Sequence, residues 1–208
     1  LKKARKDTRF YGVMPLRGKV KNVKNSNADQ MMDNQELFTI FKMIGLGIDV
    51  NNVTKDAKTP EEAYALIQKY SRYGKIIICT DADEDGKAIE NGLCYAFAKF
   101  ARFIIDFGLL YTVESPIFEQ DGNYYYPSDP FIPGTPFRVG MDPSKHYRRF
   151  KGLGALEQTD VYNAFYDESK RRLYQIVPDG IDFAMKLEED IDTRKQLLYN
   201  KGILTNPF

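Results

Sequence analysis

The segment Ile76-Ile77-Ile78-Cys79-Thr80-Asp81-Ala82-Asp83-Glu84-Asp85-Gly86 sets three carboxylates at alternate positions directly after an apolar run. In an extended chain, side chains at i, i+2 and i+4 share one face. Asp81, Asp83 and Asp85 would then begin on one side of a strand end and converge where the chain turns at Gly86. Like charges at that spacing repel, and each carboxylate is easier to protonate than to leave bare. A hard, oxygen-ligated cation such as Mg²⁺ resolves the conflict. An EF-hand calcium loop begins the same way but needs a bidentate Glu at its twelfth position, which counting from Asp81 is Gly92. It also needs a helix before it, whereas Ile76, Ile77 and Ile78 form a β-branched run bounded by Gly74 and read as a buried strand. An acidic surface turn and an Asp-x-Asp metal site of some other transferase stay open on this segment alone.

The elements that must position these acids can be read from caps and periodicity. Residues 10–16 read as a short strand ending near Pro15. Asp33 and Asn34 can cap a helix through Gly45, with Leu37, Ile40, Phe41 and Ile44 on one face. Thr59-Pro60-Glu61-Glu62 starts a second helix, with Pro at the first helical position and acids behind it, running to about Arg72. The strand at 75–80 follows. Ile89, Leu93, Phe97, Phe100 and Ile104 recur at helical steps and predict one helix over 87–107. Residues 109–114 read as a strand ended by Ser115-Pro116, and 121–143 as a hairpin and irregular link rich in Pro, Gly and Tyr. Helices are expected over 155–166 and 179–199. Helices alternating with short apolar strands predict an α/β fold with a parallel sheet, whose ligands bind at strand C-termini. Asp81 to Asp85 would lie there.

The chain has 208 residues, of which 43% are hydrophobic, enough for a real core. No apolar run approaches the ~18 residues of a membrane span. No apolar stretch of a signal peptide follows the basic start, so a cytoplasmic protein is expected. Cys79 and Cys94 are the two cysteines and fall in segments read as buried, which favours reduced thiols. The net charge of +1 says little, but its distribution is uneven. Lys2, Lys3, Arg5, Lys6, Arg9, Arg17, Lys19, Lys21 and Lys24 face the single acid Asp7, and Lys145, Arg148, Arg149 and Lys151 form a second basic cluster. Separate blocks of sign point to a polyanion gripped beside a metal site. Tyr124, Tyr125 and Tyr126 suit a half-buried strand better than a base-stacking surface, and the lone His146 reads as a surface residue. Leu1 is not an initiator Met, and a piece of a longer protein is expected.

Three motifs in order carry a resemblance: Pro15-Leu16-Arg17-Gly18-Lys19-Val20-Lys21-Asn22-Val23, Thr80-Asp81-Ala82-Asp83-Glu84-Asp85-Gly86, and Arg149-Phe150-Lys151-Gly152-Leu153-Gly154. Together they resemble the Toprim region of type IIA DNA topoisomerases, the family of gyrase B proteins and eukaryotic topoisomerase II, across nearly the whole chain. The tail with Asp190 and Arg194 looks like the end of a gyrase B protein, and the short link between the second and third motifs resembles the compact enzymes of large phages.

The resemblance implies a Toprim-type, Rossmann-like parallel sheet flanked by helices, with a C-terminal helical tail. It implies a metal- and DNA-binding domain over 1–120, a short insert over 121–148, and a closing helical segment over 149–208. It implies Mg²⁺ held by Asp81 and Asp83, with Asp85 supporting them. A family glutamate, from a Glu-Gly-Asp-Ser-Ala-type turn, is expected upstream of residue 1, so the chain alone is expected not to cleave DNA. Arg17, Lys19, Asn22 and Lys151 are the implied DNA contacts. The implied partners are double-stranded DNA, an A-type subunit or domain bearing the catalytic tyrosine, and a separate N-terminal domain that binds ATP, in a dimeric assembly. Two departures stand out: Lys87-Ala88 replaces the family's Ser-His, and Phe150 stands where Tyr is usual. A non-catalytic or nuclease-like Toprim module is the alternative.

Overall fold

The computed structural model describes residues 1–16, 34–45 and 54–189. Arg17, Lys19, Asn22, Asp190 and Arg194 lie outside the described residues.

Local signals produce the first two helices. In α1, Gln35–Ile44, the Asn34 side chain accepts from the Glu36 and Leu37 N–H groups at 3.2 and 3.1 Å. Gly45 ends it with φ 97, a left-handed conformation that glycine takes without strain. Its buried stripe is Leu37, Phe41 and Ile44. In α2, Pro60–Tyr70, Thr59 Oγ1 accepts from the Glu62 N–H at 3.2 Å, and Ile67 is the buried anchor. Residues 10–16 do not form a strand. They run as irregular chain over an apolar groove, and Gly12 lies so close to the Tyr73 ring that a side chain there would collide with it.

Strand β1, Ile76–Cys79, leads into α3, Glu84–Phe100, then α4, Arg102–Asp106, and returns in β2, Leu110–Val113. β1 and β2 pair in parallel, Ile76 opposite Leu110 and Cys79 opposite Val113, so this is a βαβ crossover. The single helix expected over 87–107 is two. The chain breaks at Ala101, whose φ is −148, and Phe103, Ile104 and Ile105 behind it are all buried.

Next come β3, Phe118–Gln120, and β4, Asn123–Tyr125, a hairpin turned by Asp121 and Gly122 at φ 51 and 81. Paired positive φ values suit the right-handed twist of the strands, and Asp-Gly is a favoured sequence for them. β5, Arg148–Arg149, pairs with the other side of β3, giving the antiparallel order β4-β3-β5. This sheet straddles positions 120 and 148. A 3₁₀ turn, Leu153–Ala155, precedes α5, Gln158–Val161, a π-helical turn, Tyr162–Tyr166, β6, Leu173–Gln175, and α6, Pro178–Glu189.

β6 joins β2 antiparallel, so the main sheet has order β1-β2-β6 and is mixed rather than purely parallel. The fold is α/β as expected. The larger core packs Leu37, Phe41, Ile67, Phe97, Ile104 and Leu110 between the helices and the sheet. The Phe41 and Phe97 rings meet edge to face with centroids 5.4 Å apart. Full burial of each such side chain contributes roughly 1.5–3 kcal/mol. A smaller core joins Val113 to Val161, Ala164, Phe165 and Tyr166. Among the described residues no helix is long and apolar enough to cross a membrane.

Candidate functional site

β1 ends at Cys79, and the buried Ser115 hydroxyl donates to the Thr80 carbonyl, tying that strand end to the chain after β2. Asp81 follows on the connecting loop, partly buried. Its Oδ1 accepts the Leu153 N–H at 2.6 Å, across 72 residues of chain. Asp83 is exposed and caps α3: its Oδ1 accepts the Gly86 N–H at 2.7 Å. Asp85 sits exposed in the first turn of the same helix. The three acids therefore do not share the face of an extended segment. Only Asp81 belongs to the strand end, because an Asp at the cap with acids behind it draws the chain into a helix by Glu84. That helix end also offsets part of the repulsion among Asp83, Glu84 and Asp85.

Gly86 does not turn the chain. It lies buried in the first helical turn, where a β-carbon would stand 2.1 Å from the Asp81 carbonyl oxygen. Gly152 does the corresponding service for the carboxylate, since a β-carbon there would stand 3.1 Å from Asp81 Cγ. Glycines on both sides let two backbones close around one aspartate.

Lys151 is exposed on this turn and makes no hydrogen bond or ion pair among the described residues. Arg149 beside it is also exposed, whereas Phe150 is buried and its N–H donates to the Ile117 carbonyl at 2.8 Å. Lys87 pairs with Glu90 at 3.1 Å on α3. Tyr124 and Tyr125 donate their hydroxyls to Asp160 and to the Gly140 carbonyl, and Tyr126 is buried under the Arg172 guanidinium. These tyrosines hold structure together, as the strand reading expected. His146 is exposed, also as expected. Cys79 and Cys94 are free thiols, and burial pushes the Cys94 thiol up to about 12.

Among the described residues, no three His, Cys, Asp or Glu side chains are grouped to hold a metal ion. The bonds of Asp81 and Asp83 to backbone N–H groups each use Oδ1, so Oδ2 of each could donate to a cation. Two carboxylates suit Mg²⁺, which commonly takes one or two and fills its remaining positions with water and substrate phosphate oxygens. The donor chemistry fits a hard cation.

A family model described as the Toprim domain matches residues 1–107, half of the chain. The chain belongs to the Toprim family. The Toprim match ends at Phe107, just past α4, so the turn that holds Asp81 lies beyond it. Similarity to curated proteins continues through that turn. The chain is 28% identical over 210 residues to the chloroplastic/mitochondrial DNA gyrase B protein of Oryza sativa, covering 97% of this chain and 27% of that protein. It is 29% identical over 210 residues to the mitochondrial DNA gyrase B protein of Arabidopsis thaliana, with the same coverage of 97% and 27%. It is 26% identical over 213 residues to the DNA gyrase B protein of Staphylococcus epidermidis, covering 98% of this chain and 31% of that protein. The chain spans less than a third of the length of these relatives. Asp81, Asp83 and Asp85, the Arg149 to Gly154 turn and the α/β frame are thus found together in a chain similar to gyrase B along nearly its full extent.

Two features of the site could not be read from the motifs. One is the Leu153 N–H, a backbone donor that any residue supplies. The other is the Ser115 hydroxyl, unmarked among six serines until the parallel pairing of β1 and β2 sets it beside Thr80.

Proposed function

We propose that the chain is the DNA-cleavage and religation part of an ATP-dependent type II DNA topoisomerase, which passes one duplex through a transient double-strand break. The observation that carries this reading is the bond between Asp81 and Leu153, because it brings two separate motifs of the resemblance to one strand end. Asp81 and Asp83 hold Mg²⁺, and Asp85 supports them. When bound, Mg²⁺ stabilises negative charge on the oxygen that leaves and later returns to the phosphorus. The chain's own residues orient that site: the Leu153 N–H fixes one oxygen of Asp81, and the N-terminus of α3 fixes one of Asp83 through the Gly86 N–H. Lys151 contacts a DNA phosphate, and Arg17, Lys19 and Asn22 contact DNA near the cleavage point.

The catalytic tyrosine comes from an A-type subunit or domain, and ATP binds a separate N-terminal domain of a dimeric, cytoplasmic enzyme. Residues 1–120 bind metal and DNA, 121–148 form an insert, and 149–208 close the B-type region. Cleavage also requires the glutamate that the family carries in its Glu-Gly-Asp-Ser-Ala turn, so the test uses the enzyme reconstituted with that segment and the A-type partner. The covalent protein–DNA complex formed with Mg²⁺ is measured for wild type and Asp81→Ala. Its loss in the variant with DNA binding kept supports the reading. Undiminished cleavage sinks the assignment of Asp81 as a metal ligand and favours an acidic surface turn there. Failure of the wild type to form the complex favours a non-catalytic or nuclease-like DNA-binding module.

A further inference from the structure

Asp160 is 1% exposed and touches none of the acids of the site, yet its carboxylate is saturated. Oδ1 accepts from the Tyr124 hydroxyl at 2.7 Å and from Arg148 Nη2 at 2.7 Å. Oδ2 accepts from Arg148 Nη1 at 2.9 Å and from the Glu157 N–H at 3.0 Å. Arg148 in turn gives its Nε to Glu119 Oε2 at 2.7 Å on β3. A carboxylate with four donors has no lone pair left for a cation or a proton transfer, so its role is mechanical.

What it holds is the base of a loop. Arg148 stands on β5 and Asp160 on α5, and the fork between them closes the chain from 148 to 160. Inside that loop lies the turn that meets Asp81. The turn has two further ties of consequence, Phe150 N–H to the Ile117 carbonyl and Leu153 N–H to Asp81 Oδ1. Lys151, Gly154 and Ala155 on it are exposed, while Phe150 is buried and Leu153 and Leu156 rest against the smaller core, so packing holds its apolar side and the polar ties set its register. Only Asp160 of this pair is buried; Arg148 is about a third exposed and also pairs with Glu119. The fork is therefore costly to lose chiefly because its loss leaves the buried carboxylate without its charged partner.

We propose that Asp160 is a positioning residue for the acidic site: gripping Arg148 and the Glu157 N–H, it holds the 148–160 loop so that the Leu153 N–H stays on Asp81. Its value to catalysis rests on the reading of Asp81 as a cleavage-site ligand; its hold on the turn does not. Groups that orient metal ligands from behind commonly change metal affinity by about 10- to 100-fold when altered. Loss of Asp160 is therefore felt in the Mg²⁺ requirement, although the residue never meets the ion.

The test uses the reconstituted enzyme with Asp160→Asn, with Arg148→Lys, which keeps the charge but loses the fork, and with Asp81→Ala as reference. Hydrogen exchange is followed in peptides covering 150–156 and 74–80, beside the Mg²⁺ concentration giving half-maximal covalent complex. The expected result is faster exchange at 150–156 only, with the Mg²⁺ midpoint raised about 10-fold for Asp160→Asn and less for Arg148→Lys. Unchanged exchange and midpoint would overturn the proposal. So would equal loosening at 74–80, which marks a general loss of stability. If Asp81→Ala cleaves like wild type, the reading of Asp81 as a cleavage-site ligand falls, and the exchange at 150–156 still decides whether Asp160 holds the turn.

Discussion

Gly152 and Asp81 approach so closely that a β-carbon on Gly152 would stand 3.1 Å from both Cγ and Oδ1 of the carboxylate. The Gly152 backbone is fully extended, with φ 167, so an L-residue fits there without backbone strain. Gly152→Ala should therefore separate function from stability. Restricting the unfolded chain contributes about 0.4–1 kcal/mol in favour of the folded state, which offsets part of the tight contact. The Asp81 carboxylate, by contrast, must move by a few tenths of an ångström. The expected outcome is a melting temperature within a few degrees of wild type, with DNA cleavage by the reconstituted enzyme falling about tenfold, the scale of a displaced catalytic group.

Gly86 meets a harder obstacle. A β-carbon there would lie 2.1 Å from the Asp81 carbonyl oxygen, and backbone cannot swing aside as a side-chain tip can. Gly86→Ala should cost about 1–3 kcal/mol, the range for overpacking, despite alanine's better helix propensity. Gly154→Ala is the control, since nothing lies within 4 Å of its β-carbon. Urea unfolding midpoints of the two variants should differ clearly; equal midpoints would contradict the packing at the β1–α3 junction.

Asp83 has two separable roles, a helix cap that the structure shows and a metal ligand that is proposed. Asp83→Ala should lose about 1 kcal/mol with the cap. Asp83→Ser retains a capping oxygen and should recover most of that loss, while still lacking a carboxylate. Melting curves report the first effect, and the Mg²⁺ dependence of cleavage reports the second. A serine variant with wild-type Mg²⁺ dependence would remove Asp83 from the ligand set.

Burial pushes the Asp160 carboxyl upward, but the hydrogen bonds from Arg148, the Tyr124 hydroxyl and the Glu157 N–H outweigh it and hold it below the usual carboxylate range. A folded-state value below the unfolded one stabilises the fold above the unfolded value, about 3.9 for Asp, and that contribution is lost as pH falls through the folded value. Stability should therefore decline below about pH 4, partly through Asp160. Asp160→Asn should be less stable at neutral pH and should show a shallower decline in acid. Urea midpoints measured from about pH 7 to pH 3 for both proteins check the sign, and parallel curves would contradict it.

Elements with local causes were legible in the sequence. Asn34, Gly45, Thr59 and Pro60 act on neighbours within four residues, so α1 and α2 begin and end close to where the pattern places them. Ile76, Ile77 and Ile78 identify β1, whereas the hairpin expected within 121–143 starts earlier, with Phe118–Gln120 as its first strand and Asp121-Gly122 as its turn. The break at Ala101 was not legible, because no Gly, Pro or capping side chain marks it and the apolar period runs on through it. β6 was missed because only Leu173 of its three residues is apolar and turned partly inward, while Tyr174 and Gln175 are exposed.

At the site, the type of chemistry was readable and the geometry was not. Counting alternate acids suggested one strand face, whereas Asp83 followed by Glu84 and Asp85 also spells a helix N-terminus, and that local signal prevailed. The partnership of Arg148 with Asp160 had no sequence signature, since neither residue shows what the tertiary fold will set opposite it.

The antiparallel seam between β2 and β6 has a consequence for how this chain tolerates change. Val113 lies opposite Leu173, and the Glu114 N–H donates to the Arg172 carbonyl at 3.0 Å, so everything between them leaves the sheet and returns to nearly the same place. Such an excursion is knotted off at its neck. Closing a longer loop at a fixed neck costs only about 0.6 kcal/mol per doubling of its length, so extra residues spliced into the exposed stretch around 133–136 would leave the sheet intact. A single protease cut there would leave two pieces that stay together, zipped along β2 and β6 and stapled again where β5 lies on β3.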